Sequence, residues 1–445
     1  MLMPPLQDFR LPSAPALQSA RSASAVKVGV LVDLPWSESA GGHVKCWERL
    51  ALAASNLPSQ IDLTIHFLGP APGQIGIADN VRYRIETPML GTARFGFLSY
   101  VPDHTDLAPW HPRLAAAIRR YDVLHSTGAF FAFARTALGV ARRTGIPLVS
   151  SVHTNTPEYA RIFAGLTIER ALGSGLLTRF VNGVLHMPER VERRMLRQLA
   201  RYQAACRFVF VSRPAQLPAM EARLPGRVGL LRRGIDRRLF SPQKRDRSWL
   251  AAEYGIAPDK IVVLSVGRLN RGKNVAVLAK AVHQLVERGV PVHLLCAGSG
   301  DERRAILDLL GPSATCPGSV DPARLARLYA AADLFAFPSA VEEFANVVLE
   351  ALTSGLPVLV AGESEMGRVV VPEVTGLILP SVAPAAWVEA IAGLAASAQR
   401  RHEMSRAARS YAELRLPSWE DVLVSDLLPR WREVAATRQR QAANA

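Results

Sequence analysis

The stretch 333–362, DLFAFPSAVEEFANVVLEALTSGLPVLVAG, constrains the fold more than any other part of the chain. Leu334–Phe337 and Pro357–Val360 are short apolar runs bounded by Asp, Pro and Gly, the pattern of strands buried on both faces of a parallel sheet. Between them Phe344–Thr353 carries apolar residues at helical spacing, so the stretch reads as a βαβ unit. Its loop delivers Glu342 and Glu343 where the helix begins, and Glu350 follows about two turns further along a similar face. Helix N-termini attract anions. If the amides of Phe344, Ala345 and Asn346 hold a phosphate, Glu350 reaches a ribose diol on one side and Glu342 a sugar hydroxyl on the other. A plainer reading stands beside it: Glu342 and Glu343 complement the helix dipole and Glu350 is solvated.

These residues resemble the signature of the retaining glycosyltransferases of the GT4 class, which have the two-domain GT-B fold. The signature is Glu-x-Phe-Gly-x-x-x-x-Glu followed by a small residue, Gly, Pro and Val; Glu342-Glu343-Phe344-Ala345…Glu350 and Ser354-Gly355-Leu356-Pro357-Val358 match it, except that Ala345 stands where the family has Gly. A methyl group there crowds a donor or stiffens the helix start.

At 445 residues the chain suits two domains rather than one core, and 49% hydrophobic with 20% charged residues describes a globular protein. Cys46, Cys206, Cys296 and Cys316 show no paired or metal-ligand spacing, which makes a reduced, cytoplasmic setting the default. No apolar run reaches the length of a membrane span. A net charge of +15 and a pI near 10.3 point to an acidic partner: nucleic acid, anionic lipid or a phosphorylated substrate.

Residues 1–25 read as a disordered leader, and structure is expected from Val26, with Val26–Val32 a strand and His43–Asn56 a helix. Gly41 and Gly42 open that helix; the resemblance implies that this loop lies over the donor phosphates, and a tight turn explains the pair as well. Strands are expected at Leu63–Phe67, Val81–Ile85, Val123–His125 and Pro147–Val152, in a doubly wound sheet whose ligands bind at the carboxyl ends of the strands. His125 and His153 stand at such ends. The run from His153-Thr154 to Pro157-Glu158-Tyr159 is similar to the His-Thr…Pro-x-Tyr stretch of lipid-glycosylating transferases. There the histidine lies against the reacting sugar, and its main-chain carbonyl helps stabilise positive charge at the anomeric carbon.

Arg161–Cys206 is helical in pattern and Arg207–Val211 a strand; Arg233-Gly234-Ile235-Asp236…Phe240 resembles the family's linker between domains. Ile261–Val266 opens the second half, and the loop Gly267-Arg268-Leu269-Asn270-Arg271-Gly272-Lys273-Asn274 leads to an amphipathic helix. Basic residues in a glycine-containing loop suit phosphate, and the family sets an Arg and a Lys matching Arg268 and Lys273 against the donor diphosphate. Val292–Ala297 with Gly298-Ser299-Gly300 resembles the loop flanking the nucleotide base, whereas 362–367 departs from the family's Gly-Gly element. Pro417-Ser418-Trp419-Glu420 resembles the start of the last helix, which in GT-B proteins crosses back to the first domain.

The fold expected is GT-B: two Rossmann-like domains facing across a cleft, with domains at 26–240 and 241–415 and the crossing helix at 416–445. The resemblance implies a metal-independent hexosyltransferase, retaining at the anomeric carbon, that uses a UDP- or GDP-hexose as co-substrate and needs no cofactor. His153, Arg268, Lys273 and Glu342 form its catalytic set; Gly41, Gly42, Gly298, Phe344, Ala345, Asn346 and Glu350 bind the donor. The acceptor is a lipid or glycan. A GT-B epimerase or phosphorylase and a non-catalytic nucleotide-sugar binder are the alternatives. Nucleic acid is disfavoured because the arginines come without interleaved aromatics. The favoured acidic partner is an anionic membrane surface on the inner face of the cytoplasmic membrane. In the helix expected at Pro188–Cys206, Val191, Met195, Leu199, Tyr202 and Cys206 form one stripe and Arg190, Arg193, Arg194, Arg197 and Arg201 the opposite face.

Overall fold

A computed structural model describes residues 25–37, 40–94, 104–153, 156–173, 175, 182, 186–339, 346–380 and 382–443. Two parallel sheets organise the chain. The first comprises β1 (Val26–Pro35), β2 (Ile61–Leu68), β3 (Gly73–Ala78), β4 (Val81–Glu86), β5 (Val123–Ser126), β6 (Leu148–Ser151), β7 (Phe208–Val211) and β8 (Val228–Leu230), in the order β3-β4-β2-β1-β5-β6-β7-β8. Only β3, against β4, is antiparallel. The second comprises β9 (Ile261–Val266), β10 (Val292–Ala297), β11 (Ala314–Gly318), β12 (Leu334–Phe337), β13 (Val358–Ala361) and β14 (Gly376–Leu379), in the order β11-β10-β9-β12-β13-β14 and parallel throughout.

The central strands are buried along their length because helices cover both faces. Val262, Leu264, Phe335 and Val358 enter one core, and Val263, Leu294, Leu334 and Leu359 the other. In the first sheet, Val28, Val30 and Leu63 share a core with Trp47 and Leu50 of the helix Gly42–Ser55.

That core also takes in Trp419, Val422, Leu427 and Trp431, so the last helical stretch of the chain packs on the first sheet. It starts at a capping box: Ser418 Oγ accepts from Asp421 N, and Asp421 Oδ2 accepts from Ser418 N. The linker is fastened to it from two sides. Arg232 pairs with Asp426 at 2.6 Å, and at Gly234 any Cβ would stand 2.6 Å from the backbone of Trp419. Ile235 N donates to Pro417 O.

In each sheet the order of connections reverses between two neighbouring strands: β1 and β5 in the first, β9 and β12 in the second. The carboxyl ends at such reversals are where open α/β sheets take ligands.

Candidate active site

At the reversal in the second sheet, the loop leaving β9 carries Arg268 and Lys273, which line one small cavity with Phe337 and Pro338 from the end of β12. Asn274, in the left-handed conformation at φ 55°, donates through Nδ2 to Pro338 O at 3.2 Å and so ties this loop to β12. The helix Val275–Glu287 begins there with no acidic residue in its first turn. Burial first, and then the neighbouring Arg268 guanidinium, lower the Lys273 ammonium to about 8. Two cations share a partly dehydrated corner at a helix start, an arrangement that suits an anion.

The loop after β10 lies directly over this one. Gly298 has φ 143°, and a Cβ on it would stand 1.9 Å from Gly267 O, so the two loops approach as only glycine permits. Gly298 N donates to Gly318 O, and Leu269 N to Ser299 O.

Glu350 is buried, at 5% exposure, which corrects the solvated alternative. Tyr329 Oη donates to Glu350 Oε2 at 3.1 Å, and Arg49 of the helix Gly42–Ser55 stands 3.6 Å from Oε1. Burial raises the Glu350 carboxyl, opposed by Arg49 and by the tyrosine hydrogen bond. Arg49 also lies over the Phe240 ring, so this helix of the first half meets the helix Asn346–Thr353 of the second at a charged contact.

On the first-half side, Gly41 and Gly42 are exposed, and Cβ atoms on them would meet nothing within 4 Å; their conformations are ordinary, and what they provide is space. The next residue, His43, stacks on His153 with ring centroids 4.4 Å apart. His153 Nε2 lies 2.7 Å from Ser151 Oγ, which is also 2.9 Å from His125 Nε2. Arg233 Nη2 reaches His153 Nδ1 at 3.2 Å, and Trp431 Nε1 reaches His125 Nδ1 at 3.1 Å. Burial is the main force holding His153 well below the ordinary histidine range, with His43, Arg233 and His125 adding to it; His125 and His43 are each lowered to about 3.

The structure thus brings together Arg268, Lys273 and the Gly298 loop, sets His153 against the helix headed by Gly41 and Gly42, and places Glu350 opposite Arg49. Glu342, Phe344 and Ala345 lie outside the described residues, as do Glu343, Thr154 and Asn155. Asn346 opens its helix with Oδ1 enclosed and without a hydrogen-bond partner among the described residues. Arg49, Arg233, Tyr329 and Trp431 were not anticipated from sequence. Arg233 lies inside the linker motif, yet nothing local marks it; its partner is far away in sequence, as is that of each of the others.

The paired sheets, each with a strand reversal at its carboxyl end, define a protein of the GT-B fold. Sucrose-phosphate synthase from Thermosynechococcus elongatus superposes with a TM-score of 0.66 at 21% identity, covering 93% of this chain and 100% of that one. HepE of Anabaena, solved in complex with UDP-glucose, gives 0.60 at 17% identity, covering 94% and 100%. The family described as Glycosyl transferases group 1 matches residues 246–411, and Glycosyltransferase Family 4 matches 91–239. The chain belongs to these GT4-type glycosyltransferases. The D-inositol 3-phosphate glycosyltransferase of Segniliparus rotundus is 33% identical over 197 residues, 42% of this chain and 43% of that protein. The chain spans less than half the length of this and two further relatives of that name, at 49% and 41%.

Proposed function

We propose that this protein transfers a hexose from a nucleotide sugar, a UDP- or GDP-hexose, to a lipid or glycan acceptor with retention of anomeric configuration. The observation that carries this reading is the pairing of Arg268 with a partly dehydrated Lys273 at the strand reversal between β9 and β12. A diphosphate seated there gains from both cations. As the bond to the sugar breaks, charge grows on the leaving phosphate, and preorganised cations stabilise that charge more than the ground state. In this reading they supply what a divalent metal supplies elsewhere, and the reaction needs neither metal nor cofactor. Glu350 takes the ribose, Glu342 a hydroxyl of the sugar, and His153 stands against the sugar. The HepE complex supports a uridine diphosphate sugar, and a relative named sulfoquinovosyl transferase from Arabidopsis thaliana supports transfer of a sugar unit.

The same reading divides the chain into an acceptor domain at 26–240, a donor domain at 241–415 and the crossing segment 416–445. It also places the first domain on an anionic cytoplasmic membrane surface. In the helix Met187–Ala205, Met195, Leu199 and Tyr202 join the core while Arg190, Arg193, Arg194, Arg197 and Arg201 are exposed. No helix among the described residues is long and apolar enough to cross a membrane, so attachment in this reading is peripheral.

A panel of nucleotide sugars screened by thermal shift, followed by turnover of the best binder, tests the reading. A ligand at about 100 times its Kd raises stability by about 2.7 kcal/mol. If no nucleotide sugar shifts the transition and none is turned over, the proposal falls.

A further inference from the structure

Five residues from four separate segments form one hydrogen-bonded row: Arg233 of the linker, His153 after β6, Ser151 of β6, His125 of β5 and Trp431 of the last helix. Its ends determine where the hydrogens lie. Arginine and the indole nitrogen of tryptophan can only donate. His125 Nδ1, 3.1 Å from Trp431 Nε1, and His153 Nδ1, 3.2 Å from Arg233 Nη2, are therefore both acceptors. A ring whose Nδ1 accepts carries its hydrogen on Nε2. Both Nε2 atoms face Ser151 Oγ, at 2.9 and 2.7 Å, and the two lone pairs of one hydroxyl oxygen receive both. The serine's own hydrogen then points away from both rings.

We infer that Arg233 and Trp431 are positioning residues which, by donating to His153 Nδ1 and His125 Nδ1, lock both rings neutral with hydrogen on Nε2 and fix the face that His153 presents to the substrate. Both nitrogens of His153 are then occupied, which leaves the ring unavailable as a general acid or base. Its contribution to the reaction is made through its main chain and ring face. A neutral ring matters at this place because an imidazolium would oppose positive charge developing on the anomeric carbon. The packing enforces the same state: His43 stacks on one side of the ring and Trp47 meets it at 5.9 Å. The titratable and charged groups facing it are His43 from the helix Gly42–Ser55, His125 from β5 and Arg233, which also bonds Cys46 of that helix. All three that bear on His153 disfavour its protonation.

Arg233 is itself held in place. It is 8% exposed, and its neighbours Arg232 and Gly234 are fastened to Asp426 and Trp419. Both donors of the row therefore depend on the segment that returns from the second half, and the lock closes only when linker and last helix are docked.

This inference rests on the proposed function only in placing His153 beside a sugar, and the test separates the two. Histidine-selective nitrogen NMR on the full chain should show two neutral rings with hydrogen on Nε2 that do not titrate between about pH 5 and 8. Arg233→Met removes the donor to Nδ1 while burial still keeps the ring neutral, so the hydrogen of His153 should no longer be confined to Nε2 and both tautomers should appear. Turnover should fall about tenfold through loss of the fixed ring position, with KM for the donor changed less than about twofold. Arg233→Lys, which supplies a donor again, should restore the wild-type tautomer and turnover in part. Trp431→Phe, which keeps the ring and deletes the donor, should move the hydrogen of His125 without that of His153. If Arg233→Met does not fold, the wild-type spectra and Trp431→Phe decide. Hydrogen on His153 Nδ1 in wild type, or a tautomer unchanged in Arg233→Met, overturns the inference. Absence of turnover in wild type overturns the functional reading and leaves the NMR result to judge the lock.

Discussion

Arg49 Nη2 lies 3.6 Å from Glu350 Oε1, one residue on a helix that covers the first sheet and the other on the helix that follows β12. Arg49 also lies over Phe240 of the second half's core, and Glu350 is held within its own half by the Tyr329 hydroxyl.

Arg49→Met leaves a buried carboxyl with one hydrogen bond and no cation among the contacts described for it. Because burial already raises Glu350 above its ordinary value of 4.5, the folded state binds its proton more tightly than the unfolded chain does. Stability from this group is then greatest at low pH and declines as pH rises through the folded pKa. Removing Arg49 widens that window. The variant should lose roughly 1–3 kcal/mol at about pH 8 and markedly less near pH 5, read by urea unfolding at each pH. An equal loss at both pH values would show that the pair does not govern Glu350.

Lys273 has the opposite sign. Its folded pKa of about 8 lies below its ordinary 10.5, so its ammonium destabilises the fold below about pH 8, and this cost disappears as pH rises from there to 10.5. For anion binding the charged form is the useful one. Donor affinity should therefore fall as pH rises above about 8, up to the higher pKa that a bound phosphate gives this lysine. Lys273→Met should abolish that alkaline limb in kcat/KM and lower turnover roughly 100-fold. A limb that persists in the variant belongs to another group.

Two glycines of the candidate site should respond in opposite ways. Gly298→Ala forces a Cβ to within 1.9 Å of Gly267 O at a φ of 143°, and should cost about 3 kcal/mol or more in chemical denaturation. Gly41→Ala meets nothing within 4 Å and should change stability by less than about 0.5 kcal/mol. If Gly41 lies over the donor phosphates, the same variant should weaken donor binding in calorimetry; unchanged affinity would detach this loop from the donor.

Replacing Arg193, Arg194, Arg197 and Arg201 with Glu reverses four exposed charges on one helix face. At about 1 kcal/mol for each basic residue near an anionic surface, sedimentation with anionic vesicles should be abolished while donor hydrolysis in solution is unchanged. Binding that survives the reversal, or none by wild type, ends the membrane reading.

The architecture was readable from sequence because its signals are local. Val262–Val266 and Val358–Val360 are apolar runs between turn residues, and Met195, Leu199 and Tyr202 recur at helical spacing, so β9, β13 and the arginine-faced helix emerged within a few residues of their bounds. The strand β3 was missed: GQIGIA is glycine-rich, pairs only at the sheet edge, and its alternation is carried by Ile75 and Ile77 alone, too short to read as a strand. Within the site, Arg268 and Lys273 were recognisable because one loop carries both. The partners of Glu350 and His153 were not, since Arg49–Glu350 and Arg233–His153 are contacts made only by the folded chain.

The docking of Trp431 on His125 has a consequence for how the protein is made. The ribosome releases the first sheet long before residue 431 emerges, and until then the core holding Val28, Trp47 and Leu63 lacks the wall formed by Leu427 and Trp431. The amino-terminal half must wait, incomplete, for the whole second half to be synthesised. Cutting the gene near residue 240 therefore yields a first half with an open apolar face. A soluble, separately expressed first half requires residues 416–443 to be supplied in trans or fused through a new connection to Val26, as in a circular permutant.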